Sequence, residues 1–203
     1  MGRKSDAKER LLDAAQQLIW ERSYGTVTID NICEQAKVQK GSFYYFFKSK
    51  EELAAASIKA DWETCSKEDW DKAFSPVNPP LQRIRNILQL AYDKQVELKE
   101  EHGVVLGCPC FSLGSEISTQ NEPIRQQIQE ILGLQVKYFE SAIREAQAEG
   151  TLPPGDATAK AKFLYALFEG CQAQARIHND LEYLRTLPDI ALQLLGAKDL
   201  QTV

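Results

Sequence analysis

The chain has 203 residues, 43% of them hydrophobic and 26% charged, the balance of a globular protein with one large domain or a small domain joined to a larger one; its apolar runs are too short for a bilayer span and no signal-peptide core follows the first residues. On those grounds the chain is expected in the cytoplasm, and its five cysteines, an odd number scattered along the chain, do not make a disulfide framework and read as reduced thiols. The net charge of −5 is unevenly spread: residues 1–50 carry nine Lys or Arg and six Asp or Glu, a net of +3, and the remainder −8, so any phosphate-binding surface belongs at the N-terminal end.

Apolar residues recur at three and four with no long alternating run, which predicts an all-α fold of about nine helices. Leu11, Leu12, Ala15, Leu18 and Ile19 form one stripe, closed at Ser23-Tyr24-Gly25, where the glycine reads as a C-terminal stop. Thr28 caps a short helix with Asp30 in its first turn and Ile29, Ile32, Cys33 and Ala36 facing inward. Gln39-Lys40-Gly41 opens a third, with Phe43 and Phe47 inside. Ser49 and Glu52 make a capping box for a fourth, which carries Leu53, Ile58 and Trp62 to about Phe74. After Ser75-Pro76-Val77-Asn78-Pro79-Pro80, Asn78 caps a helix that reaches about Glu101. A short helix runs from near Pro109 to Ile117, and a long one from Asn121-Glu122-Pro123 to Gly150. Asp156 caps the next, which buries Leu164, Leu167, Phe168 and Cys171. The last spans roughly Leu181 to Leu195, kinked or restarted by Pro188.

The second and third helices make a helix-turn-helix candidate, although such pairs also serve as plain packing units. Their exposed positions favour recognition. Thr28 stands at one helix N-terminus, Lys40, Ser42, Tyr44 and Tyr45 on the second helix and Lys50 at the start of the next; hydroxyl and ammonium groups near helix N-termini add to the free backbone N–H groups and dipole that already favour a phosphate. The run Thr28-Ile29-Asp30-Asn31-Ile32, followed by Ala36 to Leu53 with Lys40-Gly41-Ser42-Phe43-Tyr44-Tyr45-Phe46-Phe47 at its centre, resembles the DNA-binding signature of the TetR family of bacterial regulators over about residues 8–55. The resemblance implies a helix-turn-helix DNA-binding domain at 1–50 and an effector-binding and dimerisation domain at 51–203. It further implies a homodimeric repressor on a palindromic double-stranded DNA operator, with the third helix in the major groove and release by a small effector. By position, Gln39, Lys40, Ser42 and Tyr44 lie at or near base edges, Gly41 lets the backbone approach, and Thr28, Tyr45 and Lys50 grip phosphates. Partial burial of Tyr44 against helix 1 is the alternative. Lys37 stands where the family commonly has glycine, and a left-handed Lys37 costs roughly 1 to 2 kcal/mol. Arg3 and Lys4 read equally as an arm along the DNA or as a solvated terminus.

Gly107-Cys108-Pro109-Cys110 places a proline at the first helical position, so Cys108 falls at the N-cap and Cys110 in the first turn. The positive end of a helix favours a thiolate there, while two small, inert, apolar side chains in a helix joint fit the same pattern. Gly107-Cys108 with the following Ser-Leu-Gly-Ser-Glu-Ile segment, and the later Leu164 to Gly170 and Gln174 to Ile177, are similar to a branch of the TetR family that responds to electrophiles and oxidants; other members with the same Gly-Cys bind ordinary organic ligands. Cys108 and Cys110 are therefore the effector candidates, with Trp62, Trp70, Tyr92, Phe111 and Phe139 as aromatic lining or, as is commoner at helical spacing, as core, and Arg176 as a cationic neighbour that periodicity does not place beside Cys108. Leu164, Leu167, Phe168, Leu184, Ala191 and Leu195 are candidates for a four-helix interface with a second subunit. With His102 and His178 as the two histidines, no four-ligand zinc spacing occurs, and neither metal nor cofactor is expected. An enzyme reading of Cys-Pro-Cys as a thiol oxidoreductase lacks a strand scaffold and a positioned base. A nonspecific DNA-packaging reading is at odds with the acidic remainder.

Overall fold

The computed structural model describes residues 3–197, with side chains from residue 6; the arm suggested for Arg3 and Lys4 concerns side chains outside this range. Among the described residues the regular elements are helices: α1 (Arg3–Arg22), α2 (Ile29–Ala36), α3 (Lys40–Phe46), α4 (Lys50–Asp61), α5 (Lys67–Ala73), α6 (Pro80–His102), α7 (Pro109–Ile117), α8 (Glu122–Ala148), α9 (Ala157–His178), α10 (Glu182–Arg185) and α11 (Leu187–Leu195). The nine expected helices become eleven because two are divided. A π turn at Trp62–Ser66 separates α4 from α5, and α10 ends one turn before Pro188, which lies in the first turn of α11 and cannot donate an N–H to a continuous ladder.

Local chemistry sets most boundaries. Thr28 Oγ1 accepts from Asn31 N at 3.1 Å while Asn31 Oδ1 accepts from Thr28 N at 3.0 Å, a reciprocal cap with Asn in the role Glu usually fills. Ser49 Oγ accepts from Glu52 N at 3.2 Å, but Glu52 reaches past the cap to Lys48 N at 2.8 Å. Asp156 caps α9 through Ala159 N. The cap of α6 is Pro79, not Asn78, whose carbonyl instead accepts from Arg83 Nε at 2.8 Å. The stop of α1 also differs from expectation: the left-handed residue is Ser23, with φ of 85°, and Gly25 has no positive φ.

The chain packs into two compact units. One comprises residues up to Ser66 together with Pro109–Leu132. Here α1 packs against α2, α4 and α7 around Leu11, Leu18, Ile32, Phe43 and Leu53, all buried, with Leu113 and Ile117 of α7 also buried. Thus α4, α7 and the first part of α8 belong to the same unit as the α2–α3 pair. The other comprises Lys67–Cys108 and the described residues from Gly133 to 197. Its core joins Ile84 and Leu88 of α6, Phe139 and Ile143 of α8, Phe168 of α9 and Ala191 of α11. The half of α8 in this unit is tied to α6 by Arg83, buried and bonded to Glu145 at 2.6 Å.

Candidate DNA-binding and effector sites

The surface of α2 and α3 is built by what the core leaves outside. Phe43 and Phe47 are buried, and their rings anchor α3 with centroids 6.1 Å apart. Tyr44 and Tyr45 are consequently turned outward, 54% and 68% exposed, which settles the alternative for Tyr44 in favour of solvent. Gln39, Lys40, Gly41 and Thr28 are exposed and Ser42 is half-buried. No atom lies within 4 Å of where a Cβ on Gly41 would sit. Lys40 Nζ pairs with Asp30 Oδ1 at 2.7 Å, joining the first turns of the two helices, and that carboxylate hydrogen bond raises the pKa of the ammonium. A pair this exposed is cheap to exchange for another acceptor. Lys37 is left-handed, φ 54° and ψ 45°, and its N–H and that of Val38 close the end of α2 on Glu34 and Cys33 carbonyls.

Lys50 is a correction. Its Nζ donates to the carbonyls of Tyr24 at 2.9 Å and Val27 at 2.8 Å and lies 4.0 Å over the Tyr24 ring. Burial lowers its pKa. An ammonium committed to two carbonyls and an aromatic face is a structural brace for the α1–α2 connection, not an extended phosphate anchor. The exposed lysine of this segment is Lys48. Its periodicity gave no signal, because both lysines flank the same cap.

The Gly107-Cys108 segment is held by groups the sequence did not single out. Buried Gln95 accepts from the N–H groups of Leu106 at 3.0 Å and Gly107 at 2.9 Å, and donates to Gly107 O at 3.2 Å. Gly107 has φ of +66°, and a Cβ there would meet Gln172 O at 3.2 Å, so both conformation and space demand glycine. Arg176 Nη1 donates to Leu106 O at 2.9 Å, a contact that periodicity alone did not fix. Cys108 is half-buried and Cys110 buried.

Next to this segment lies a buried polar array. Tyr165 Oη is within hydrogen-bond distance of both Gln135 Oε1 (2.5 Å) and Glu169 Oε1 (2.8 Å). Tyr165 carries one hydroxyl hydrogen, so the two acceptors share it. Burial pushes the Glu169 carboxyl up to about 7, against the hydrogen bonds from Tyr165 and the Cys108 thiol that pull it down. Its Oε2 is buried without a hydrogen bond of normal geometry, and the Cys108 thiol is the polar group that faces the carboxyl.

The remaining effector candidates lie on separate elements, Trp62 and Phe111 in one compact unit and Trp70, Tyr92 and Phe139 in the other. Phe139 has no exposed surface, and its ring centroid lies 5.5 to 6.4 Å from those of Trp70, Phe74, Tyr165 and Phe168, so it is a core residue. Trp62 is buried in the π turn. Tyr92 is half-buried on α6. Phe111 lines an open groove of about 240 Å³ with Gly114, Ser118, Arg125 and Ile128.

Of the interface candidates, Leu164, Phe168, Leu184, Ala191 and Leu195 are buried within the protomer and Leu167 is half-buried. The apolar side chains left outward are Phe163 (77% exposed) and Ile177 on α9, and Ile190 and Leu194 (71%) on α11. Phe163, Leu167 and Leu194 line an open apolar groove of about 430 Å³ on these two helices. Period-3.6 reasoning found the helices but not which edge of each stripe the protomer consumes.

Residues 11–57 match the model of bacterial regulatory proteins of the tetR family, and residues 80–189 that of the tetracyclin repressor-like C-terminal domain. The transcriptional regulator AcuR of Cereibacter sphaeroides is 30% identical over 84% of this chain and 77% of its own. The transcriptional repressor NemR of Escherichia coli K12 is 27% identical over 88% of each. Among solved structures, the regulatory protein TetR from Rhodobacter sphaeroides superimposes with a TM-score of 0.81 at 28% identity, over 92% of this chain and 97% of that one. The reduced form of E. coli NemR has the same fold, with a TM-score of 0.80 at 23% identity over 95% and 100%.

Proposed function

From the premise that this chain belongs to the TetR family of bacterial regulators, a family of DNA-binding transcription factors and not of enzymes, we propose that it is a homodimeric, cytoplasmic repressor that leaves a palindromic operator when a small effector engages it. The observation that carries this reading is the α3 surface: two adjacent tyrosines turned to solvent by two buried phenylalanines, beside exposed Gln39, Lys40 and Gly41 and half-buried Ser42. A core has no use for that arrangement, and a major groove does. Gln39, Lys40, Ser42 and Tyr44 read base edges, Gly41 allows close approach, and Thr28, Tyr45 and Lys48 hold phosphates.

The apolar face of α9 and α11 around Phe163 and Leu194 meets its copy in the partner. Two α3 helices then sit about 34 to 36 Å apart, one turn of duplex. For the input, Cys108 is the reacting group, modified by an electrophile or oxidant beside the Glu169 carboxyl. Its fixed backbone, through Gln95 and Gly107, supports this reading, as does the similarity to NemR. Selection of bound fragments from the source genome, with and without N-ethylmaleimide or hypochlorite, tests the whole reading. A specific fragment should be recovered, and lost on treatment of wild type but retained by Cys108→Ser. Equal release of Cys108→Ser removes the thiol input; recovery of random fragments removes sequence-specific repression.

A further inference from the structure

The connection between α1 and α2 is gripped from outside the helix-turn-helix. The carboxylate of Glu116, on α7, accepts from the backbone N–H of Tyr24 at 2.9 Å through Oε2 and from that of Gly25 at 2.7 Å through Oε1. From the other side, Lys50 Nζ takes the carbonyls of Tyr24 and Val27. Gly25 is explained by this clamp and by nothing else in its surroundings: its φ is not positive, yet a Cβ there would stand 3.1 Å from Glu116 Oε1. The glycine makes room for the carboxylate. Three residues further on, Thr28 caps α2, so the clamp fixes the point from which the reading pair departs.

We propose that Glu116 is a positioning residue for operator recognition: it holds the α1–α2 turn to α7 and so sets how α2 and α3 are presented to DNA. It rests on the assignment of α2 and α3 as the DNA-binding pair, and is independent of any effector.

The sign of its effect separates positioning from simple electrostatics. A carboxylate near DNA repels phosphates, so removing its charge should tighten binding of every duplex. Positioning predicts the reverse, and for the specific site alone, because base contacts need a fixed register and phosphate contacts tolerate adjustment. Glu116→Gln keeps the shape and leaves one acceptor for two N–H groups, with an amide N–H facing the other.

The test uses full-length protein, a selected operator fragment and a scrambled duplex of equal length, with binding followed by fluorescence anisotropy. Glu116→Gln should weaken operator binding about tenfold, the worth of one charged hydrogen bond, and leave the scrambled duplex unchanged or bound more tightly. Gly25→Ala should weaken operator binding as well, and the double variant should be no worse than the poorer single, since both break one interaction. In wild-type protein the Tyr24 and Gly25 amides should exchange with solvent more than tenfold slower than in an unstructured chain. Operator binding by Glu116→Gln at wild-type strength or tighter, equal losses on both duplexes, additive effects of the two substitutions, or unprotected amides would each overturn the proposal.

Discussion

Lys37 takes the left-handed conformation at the end of α2 that its position next to the turn demands, and pays the Cβ–carbonyl crowding of that region. Lys37→Gly should therefore raise stability by about 1 kcal/mol in equilibrium urea unfolding, the relief of strain being partly offset by the freer unfolded chain. Lys48 and Lys50 should separate in the same assays. Lys48→Ala should weaken operator binding and lower the salt slope by about one, with unchanged stability, whereas Lys50→Ala should lower the melting temperature, because two carbonyls and an aromatic face lose their cation. Glu169 gives stability a pH dependence. Its carboxyl ionises near 4.5 when unfolded and near 7 when folded, so its contribution is full below pH 4.5 and is lost as pH rises through 7, a fall of roughly 3 kcal/mol. Glu169→Gln should flatten the profile between pH 5 and 8 and be the more stable protein at pH 8; parallel profiles for the two would show that the folded carboxyl is not held neutral.

Helix-forming period, caps and proline positions carried most of the elements. Asp156, Thr28 and Pro188 each mark a boundary that the structure keeps, because capping and a missing N–H act within one turn of sequence. What was not legible needed partners far along the chain. Nothing within twenty residues of Gly25 announces Glu116, and the stop of α1 fell to Ser23 although the glycine was the stronger local signal. Gln95, Tyr165 and Gln135 looked like ordinary helix positions until packing buried them around Gly107 and Glu169. The π turn at Trp62–Ser66 likewise left the apolar pattern of α4 and α5 intact. On α9 and α11 the stripe is wide enough for both a protomer core and an outward face, and burial divides them. Phe163→Glu or Leu194→Glu should then give monomers by sedimentation at micromolar concentration, with stability near wild type, since both side chains are largely exposed in the protomer. A dimer of unaltered affinity in both variants would move the interface elsewhere.

At the scale of the molecule the charge division acquires a purpose. The +3 segment of residues 1–50 contains the α2–α3 surface proposed to read DNA, and an acidic remainder disfavours nonspecific contact with phosphates. A homodimer doubles the reading surface, so operator symmetry and protein symmetry should match. The measurement that bears most directly on the account is footprinting of the wild-type protein and Tyr44→Ala on a fragment selected from the source genome. The account predicts two symmetric protected half-sites with centres about one helical turn apart, occupied by one dimer, and their loss in Tyr44→Ala at concentrations that saturate wild type. A footprint from Tyr44→Ala equal to that of wild type, or a single asymmetric protected site, would contradict it.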